Sequence, residues 1–216
     1  MIVEILVALT MTLAVPPTAP LSQRDVAIYA PLIGQAAIDC KNARGKKIDV
    51  GLLWKLAAVE STYNPPPKVR GMILAAACME SGYNPKARGD RKFSKSGRVP
   101  LAIGILQMWP IYERMFPWIV RTDPELAAHG WMKHITNMIP RVKRRCRYKT
   151  PEKIWIAAWV TGIRSKKKGG RCKQKPNHLR ILKRWHRTIE KQRLIQDDCY
   201  NIKEDIEPKA IDGDGC

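Results

Sequence analysis

The chain has 216 residues, of which 45% are hydrophobic and 27% are charged, and its formal net charge at pH 7 is +20. This composition excludes an intrinsically disordered chain, and the length is sufficient for one buried core with an appendage. Residues 196–216 hold seven acidic side chains and two lysines, a net of −5, which leaves +25 on residues 1–195. A positive field of this size favours an anionic partner, namely a cell-wall polymer, lipid head groups or nucleic acid.

Residues 1–15 are apolar except for Glu4 and two threonines. They are too few to span a bilayer as a helix. Two interpretations stay open: a secretory signal or short anchor, although no basic residue precedes the apolar run, and an N-terminal helix packed on the core. Prolines between residues 16 and 20 mark a linker. We therefore divide the chain into an N-terminal segment (1–21), a catalytic-type domain (22–195) and an acidic, cysteine-containing tail (196–216).

Apolar side chains recur at helical spacing along most of the chain. The predicted helices span residues 22–39, 49–63, 71–81, 122–135, 151–162 and 177–194. Pro31 is expected to kink or break the first of them, and Asp49 can cap the second. No alternating strand pattern of any length is present, and residues 86–100 are expected to form an exposed loop or small hairpin. The predicted fold class is therefore mainly α.

The uncharged segment 71–79 leads directly into Glu80. Because it is apolar on all sides, it predicts a buried helix. Gly82 can cap this helix and Pro85 prevents its continuation, so Glu80 lies on the last turn. Partial burial and the negative end of the helix dipole would both favour the protonated carboxyl, which is the form that a general acid needs. The alternative is a solvated glutamate at a fraying helix end.

A similar stretch precedes this one by twenty residues, since residues 57–65 resemble residues 76–85 and place Glu60 where the second copy has Glu80. Glu60 is therefore a rival for the same role. We prefer Glu80 because its helix carries no charge, whereas Lys55 interrupts the other helix. A glycine also follows the second Glu-Ser pair, where the first copy has a threonine. Glu60 is then interpreted as a residue at a helix end.

Six cysteines form an even set in a chain that we expect to be exported, which favours disulfides over free thiols. They are Cys40, Cys78, Cys146, Cys172, Cys199 and Cys216. Cys146 and Cys172 flank one helical segment and are predicted to pair. Cys78 lies inside the apolar helix and can be interpreted as a small buried hydrophobe. The spacing of Cys and His residues is too wide for a usual zinc site, so no metal or other cofactor is expected.

Three motifs in chain order resemble those of the soluble lytic transglycosylases, which have the goose-type lysozyme fold. They are Glu80-Ser81, Gly104-Ile-Leu-Gln107 and Ala157-Ala-Trp-Val-Thr-Gly162. The family has Glu-Ser, Gly-Leu-Met-Gln and Ala-Tyr-Asn-Ala-Gly, and the match covers roughly residues 50–190. The resemblance implies a helical, lysozyme-like domain that cleaves the β-1,4 bond between N-acetylmuramic acid and N-acetylglucosamine in peptidoglycan and leaves a 1,6-anhydro product.

By this resemblance, Glu80 is the single catalytic acid and base, which protonates the glycosidic oxygen and then accepts the proton of the muramic 6-hydroxyl. Ser81 would orient Glu80 or the substrate, Gly104 would let the glycan approach the backbone, and Gln107 would offer its amide to an N-acetyl sugar. The expected substrate-binding residues are Ser81, Tyr83, Gly104, Leu106, Gln107 and Trp159.

The sequence departs from the family pattern at two places. The insertion at residues 86–100 contains Asp90, which could act as a second carboxylate and make the enzyme a hydrolysing lysozyme. In the third motif, Trp159 and Val160 stand where the family has Tyr-Asn. Tryptophan donates a hydrogen bond but accepts none, so the family's tyrosine contact to the acid is only partly reproduced. Trp159 is then either a platform for sugar stacking or a core residue.

Two non-catalytic alternatives remain. Basic clusters at residues 141–147 and 164–175 and the basic face of the helix 177–194 would suit phosphate contacts, but no groove-reading or base-stacking motif accompanies them. Nucleic acid is therefore not the expected partner. The other alternative is a wall-binding protein without catalysis. The expectation is an exported monomer, in the periplasm, outside the cell or on a virion, that acts on peptidoglycan and is held to the anionic wall by its positive surface.

Overall fold

The computed structural model describes residues 17–45, 48–89, 101–146, 148–163 and 177–204. In these ranges the fold is mainly α, as predicted, with seven α-helices and one pair of very short strands. The helices are α1 (Gln23–Arg44), α2 (Val50–Thr62), α3 (Met72–Ser81), α4 (Ile111–Met115), α5 (Pro124–Cys146), α6 (Pro151–Ile163) and α7 (Asn177–Glu204). A 3₁₀ turn covers Pro67–Val69. The strands β1 (Arg88–Gly89) and β2 (Ala102–Ile103) pair antiparallel, with Arg88 opposite Ile103.

Helix α3 lies in the centre of the core. Every residue from Met72 to Cys78 is at most 9% exposed, as its uncharged sequence predicts. The helix packs against α1, α2 and α7. Gly82 ends it in the left-handed conformation, with φ 60°, and its N–H donates to the Cys78 carbonyl at 3.0 Å. The predicted glycine cap is therefore confirmed.

The predicted helix starts are confirmed at two aspartates. The Asp49 carboxylate accepts the Gly51 N–H at 2.9 Å and caps α2. The Asp123 carboxylate accepts the N–H groups of Glu125 and Leu126, both at 2.9 Å, at the start of α5. Each bond satisfies a backbone donor that the first turn of a helix leaves without a partner.

Of the kink or break expected at Pro31, the break is wrong, because α1 continues from Gln23 to Arg44 with Pro31 inside it, whereas the kink stays a prediction. Tyr29, Leu32 and Ile33 around the proline are at most 3% exposed. Their burial offsets the backbone hydrogen bond that proline removes, since most helical stability in proteins comes from packing. Helices α5 and α7 likewise extend past their predicted ends at residues 135 and 194.

Cys40 of α1 and Cys78 of α3 form a disulfide, with their Cα atoms 5.9 Å apart. The interpretation of Cys78 as only a buried hydrophobe is therefore wrong. The pairing follows from the packing of α1 beside α3, which no local sequence pattern reports. Cys146 is disulfide-bonded as well. Its predicted partner, Cys172, lies outside the described residues.

Replacing both Cys40 and Cys78 with alanine is expected to lower the free energy of unfolding by about 4 kcal/mol. The bridge joins residues separated by 38 positions and so restricts a long loop in the unfolded chain. Urea denaturation of the full chain without reductant, compared with the wild type, measures the difference. A loss below about 1 kcal/mol would contradict this account, because the loop-closure contribution would then be absent.

No helix within the described ranges combines the length and apolar character needed to cross a bilayer. The Cys40–Cys78 disulfide is compatible with an oxidising compartment. Residues 1–16 lie outside the described residues, so both interpretations of the apolar N-terminal segment stay predictions. Helix α7 runs without interruption across the boundary drawn at residue 196 and ends at Glu204.

Candidate functional site

Glu80 lies on the last turn of α3, where the helix emerges from the core. Exposure changes abruptly here, from 9% at Cys78 to 40% at Met79, and Glu80 is exposed as well. The predicted position at the end of a buried helix is confirmed, whereas the predicted partial burial of the carboxyl is wrong. Solvent therefore reaches the side chains of Met79 and Glu80, although Ser81 on the same turn is buried.

Ser81 joins the first two motifs. Its hydroxyl donates to the Ile105 carbonyl at 2.8 Å and accepts the Asn84 N–H at 3.2 Å. The residue is only 7% exposed. The end of α3 and the turn that follows β2 are therefore held side by side. This geometry gives Ser81 the task of aligning the two segments, whereas its expected contact with substrate would need a more open side chain.

The segment Gly104–Gln107 is a tight turn. Its base is closed by two backbone bonds between Ile103 and Met108, at 3.2 and 3.0 Å. The half-buried Gln107 has a left-handed backbone, with φ 47°, and its side-chain amide donates to the Gly104 carbonyl at 2.9 Å. A Cβ on Gly89 would come within 2.4 Å of the Gln107 Oε1 atom. Because Gly89 has no Cβ, the side-chain amide of Gln107 can occupy this space.

Gly104 is required for a reason other than the predicted approach of a glycan to the backbone. The residue is buried and has φ 82°, and a Cβ added to it would lie 1.8 Å from the Arg121 carbonyl oxygen. The Arg121 guanidinium also donates to the carbonyls of Leu101 and Met108, at 2.9 and 3.0 Å. The Arg121 side chain therefore holds the turn through hydrogen bonds. Gly104 also packs directly against the Arg121 carbonyl, a close approach that only glycine allows.

Three of the expected substrate-binding side chains lie in the core. Tyr83 is 5% exposed, and its hydroxyl donates to the Leu74 carbonyl at 2.8 Å. Leu106 is also 5% exposed. Trp159 is 1% exposed and packs edge to face against Trp131, with ring centroids 5.6 Å apart. These side chains belong to the core, and of the two interpretations of Trp159 the structure favours the core residue. Asp90 lies outside the described residues.

Tyr112 is a residue of this site that sequence reasoning missed. It stands on α4, just after the Gln107 turn, and its ring meets His134 edge to face at 5.2 Å. Burial raises the pKa of its hydroxyl to about 12, and the nearby charge of Glu80 contributes to this shift. The Glu80 charge therefore acts on the Tyr112 hydroxyl through space. No family motif includes this position, and its only sequence signal is an aromatic residue five positions after Gln107.

Glu60, the rival carboxylate, has no exposed surface. Its two oxygens accept the N–H groups of Gly71 at 2.6 Å and Ile73 at 3.1 Å, at the start of α3. Burial raises the pKa of the Glu60 carboxyl to about 7, and these amide donors oppose the shift. The Tyr29 hydroxyl lies near the same carboxyl without full hydrogen-bond geometry. Glu60 therefore anchors the first turn of α3 and is closed to any polymeric substrate.

The arrangement thus presents an exposed carboxyl and an oriented amide on adjoining segments, and the carboxyl can exchange a proton with a bound polar molecule. Within the described ranges, no cluster of three or more potential metal ligands occurs. Comparisons with protein-family models, with curated proteins and with solved structures find no match to this chain.

Proposed function

We propose that this protein is a peptidoglycan lytic transglycosylase with a lysozyme-like helical domain, and that Glu80 is its catalytic acid and base. The observation that carries the proposal is the bond from the Ser81 hydroxyl to the Ile105 carbonyl, at 2.8 Å. It joins the carboxyl-bearing end of α3 to the turn that holds Gln107. It holds two motifs separated by more than twenty residues side by side, and this adjacency supports the proposal.

The proposed reaction needs one carboxyl group. Glu80 donates its proton to the glycosidic oxygen, and the bond from that oxygen to C1 of N-acetylmuramic acid breaks. The 6-hydroxyl of the same sugar then bonds to C1 and returns its proton to Glu80, which leaves a 1,6-anhydro ring. Because the nucleophile belongs to the substrate, the second carboxylate of ordinary glycosidases is unnecessary. Glu113, beside Tyr112, is already ion-paired with Arg121 at 2.8 Å.

The exposure of Glu80 suits a polymeric substrate. A glycan strand must reach the carboxyl from solvent, and Glu80 is open to solvent where the fully buried Glu60 is closed. A bound strand removes water from the carboxyl, and loss of water favours the protonated form that donates to the glycosidic oxygen. In this proposal the bound glycan shields the Glu80 carboxyl from water, which the protein without substrate does not do.

The Tyr112 hydroxyl is proposed to donate a hydrogen bond to Glu80 when the carboxyl has lost its proton. Tyr112→Phe is expected to lower kcat by about tenfold or more, since a hydrogen bond to a charged group contributes about 1.5–3 kcal/mol. The initial rate of turbidity loss of purified sacculi measures the effect. Tyr63→Phe is the matched control, because the Tyr63 hydroxyl contacts His129 rather than Glu80. Equal rates for the two variants would exclude this role for Tyr112.

The positive surface is proposed to hold the enzyme on the anionic wall. Helix α7 buries Leu182 and Trp185 completely and turns a basic face to solvent, as predicted. The exposed basic residues of this helix include Arg180, Lys183, Arg184, Arg187, Lys191 and Arg193. Arg184 forms a salt bridge with Asp39, and the other basic residues contribute to the positive electrostatic potential of this helix face. Attraction between exposed charges weakens with salt, so binding to sacculi should decrease as ionic strength rises.

Mass spectrometry of the muropeptides released from purified sacculi tests the reaction type. Anhydro-ended products, lighter by one water than reducing-ended ones, are expected. Reducing-ended products would replace the lyase with a hydrolysing lysozyme and would make Asp90 the first residue to test. An exported site of action, in the periplasm, outside the cell or on a virion, is part of the proposal and agrees with the Cys40–Cys78 disulfide.

A further inference from the structure

Apolar side chains are exposed on two segments of the candidate site: the last turn of α3, which carries Glu80, and the segment 109–115 that follows the Gln107 turn. Nine large apolar side chains are exposed within the described ranges, and four of them belong to these segments. The four are Met79 at 40%, Trp109 at 39%, Ile111 at 44% and Met115 at 40%. Exposed apolar surface concentrated beside a candidate site is typical of a binding surface, whereas single exposed residues elsewhere need no explanation.

Trp109 stands apart from the other tryptophans. All seven lie in the described ranges, and the remaining six are buried or half-buried. Trp109 follows the Gln107 turn by two residues, and its carbonyl accepts the Tyr112 N–H at 3.0 Å. The bond from the Ser81 hydroxyl to the Ile105 carbonyl, at 2.8 Å, holds the Gln107 turn against the end of α3, which carries Glu80. Trp109 therefore lies on the segment that leaves this turn, beside the Glu80 site.

We propose that Trp109 is the sugar-stacking platform of this site and binds the apolar face of an N-acetylated pyranose ring. The inference rests on the proposed function and assigns to Trp109 the role that the buried Trp159 cannot fill. A pyranose ring directs C–H groups to its faces and hydroxyl groups to its rim. An indole offers a flat apolar surface whose negative face attracts C–H groups, and it loses little conformational freedom when covered.

The test uses the full chain carrying Glu80→Gln, so that a bound glycan is not cleaved. The probe is a soluble β-1,4-linked oligosaccharide of N-acetylglucosamine, and calorimetric titration measures its Kd. Adding Trp109→Ala is expected to raise the Kd about tenfold, or about 1.4 kcal/mol. Trp109→Phe retains a flat apolar face and should stay within about threefold of the parent. Ile111→Ala is the comparison for general apolar contact, because Ile111 belongs to the same exposed surface but has no ring, and it should raise the Kd less than Trp109→Ala does.

Kinetics supply a second readout. In the chain with Glu80 intact, Trp109→Ala should raise KM for sacculi more than it lowers kcat, because stacking binds the ground state and the transition state alike. Circular dichroism verifies that each variant is folded. Unchanged Kd and KM in folded Trp109→Ala would overturn the proposal, and so would equal losses at Trp109 and Ile111, which indicate general apolar contact.

Failure of the proposed function gives a different pattern. If the wild-type chain releases no muropeptides and the Glu80→Gln chain binds no oligosaccharide, both proposals fall. If the wild-type chain releases muropeptides and Trp109→Ala changes neither Kd nor KM, only the stacking platform falls.

Discussion

Glu80→Gln is expected to reduce the rate of sacculus cleavage by about 10²–10⁴-fold, the range that general acid–base catalysis contributes. A neutral amide cannot donate the proton that the glycosidic oxygen needs, and it cannot accept the proton of the 6-hydroxyl. The side chain is exposed, so the free energy of unfolding should change by less than about 0.5 kcal/mol. Turbidity loss of purified sacculi measures the rate, and urea denaturation measures the stability.

Glu190→Gln provides the matched control for Glu80→Gln, since Glu190 is an exposed glutamate on α7, outside the site. Its rate should remain that of the wild type. Cosedimentation with sacculi adds a necessary comparison, because Glu80→Gln should still bind the wall that it no longer cleaves. Full activity of folded Glu80→Gln would remove this residue from the mechanism. Wall binding by a wild-type chain that releases no muropeptides would instead identify a non-catalytic wall-binding protein.

Glu60→Gln is expected to remove a pH dependence from the stability of the protein. Burial raises the folded-state pKa of Glu60 to about 7, from an ordinary value of 4.5. Between these pH values the folded chain holds a proton that the unfolded chain has released. The stabilisation that the proton on Glu60 contributes to the folded state is therefore fully present below pH 4.5 and is lost as the pH rises through 7. The loss amounts to about 3 kcal/mol, since one pKa unit corresponds to about 1.4 kcal/mol.

The measurement compares urea denaturation of the wild type and of Glu60→Gln at several pH values between 4 and 8. The glutamine cannot ionise, so its stability relative to the wild type should improve by about 3 kcal/mol across this range. His129 and His186, whose pKa values are lowered by burial, titrate in both proteins and cancel in the difference. A difference that stays constant with pH would show that Glu60 keeps one protonation state throughout.

Helix formation could be predicted from neighbouring residues. The uncharged segment before Glu80 forms the buried helix α3, and Gly82 ends it in the left-handed conformation. Asp49 caps α2, and the basic face of α7 lies in solvent. Each of these features depends on residues within a turn or two of one another. Glycine tolerates a positive φ, and a short carboxylate reaches the free N–H groups of the next turn, wherever the helix lies in the fold.

For several residues of the motifs, the structural reason for the residue type could not be predicted. Gly104 stands in a recognisable motif, yet a distant carbonyl, that of Arg121, is what excludes a Cβ there. Ser81 belongs to the motif of the candidate acid, but its hydroxyl serves to hold the Ile105 carbonyl. Trp159 occupies the third motif and lies in the core, while the exposed indole belongs to Trp109. A motif specifies residue types in order, whereas burial depends on the elements that pack around them.

The helical class and the position of Glu80 at the end of a buried helix could be read from the amino-acid order, because they follow from local periodicity and turn chemistry. The exposure of Glu80, the burial of Glu60 and the pairing of Cys40 with Cys78 became visible only in the packed fold. These outcomes depend on contacts between residues far apart in the chain, which are set by how the helices cover one another.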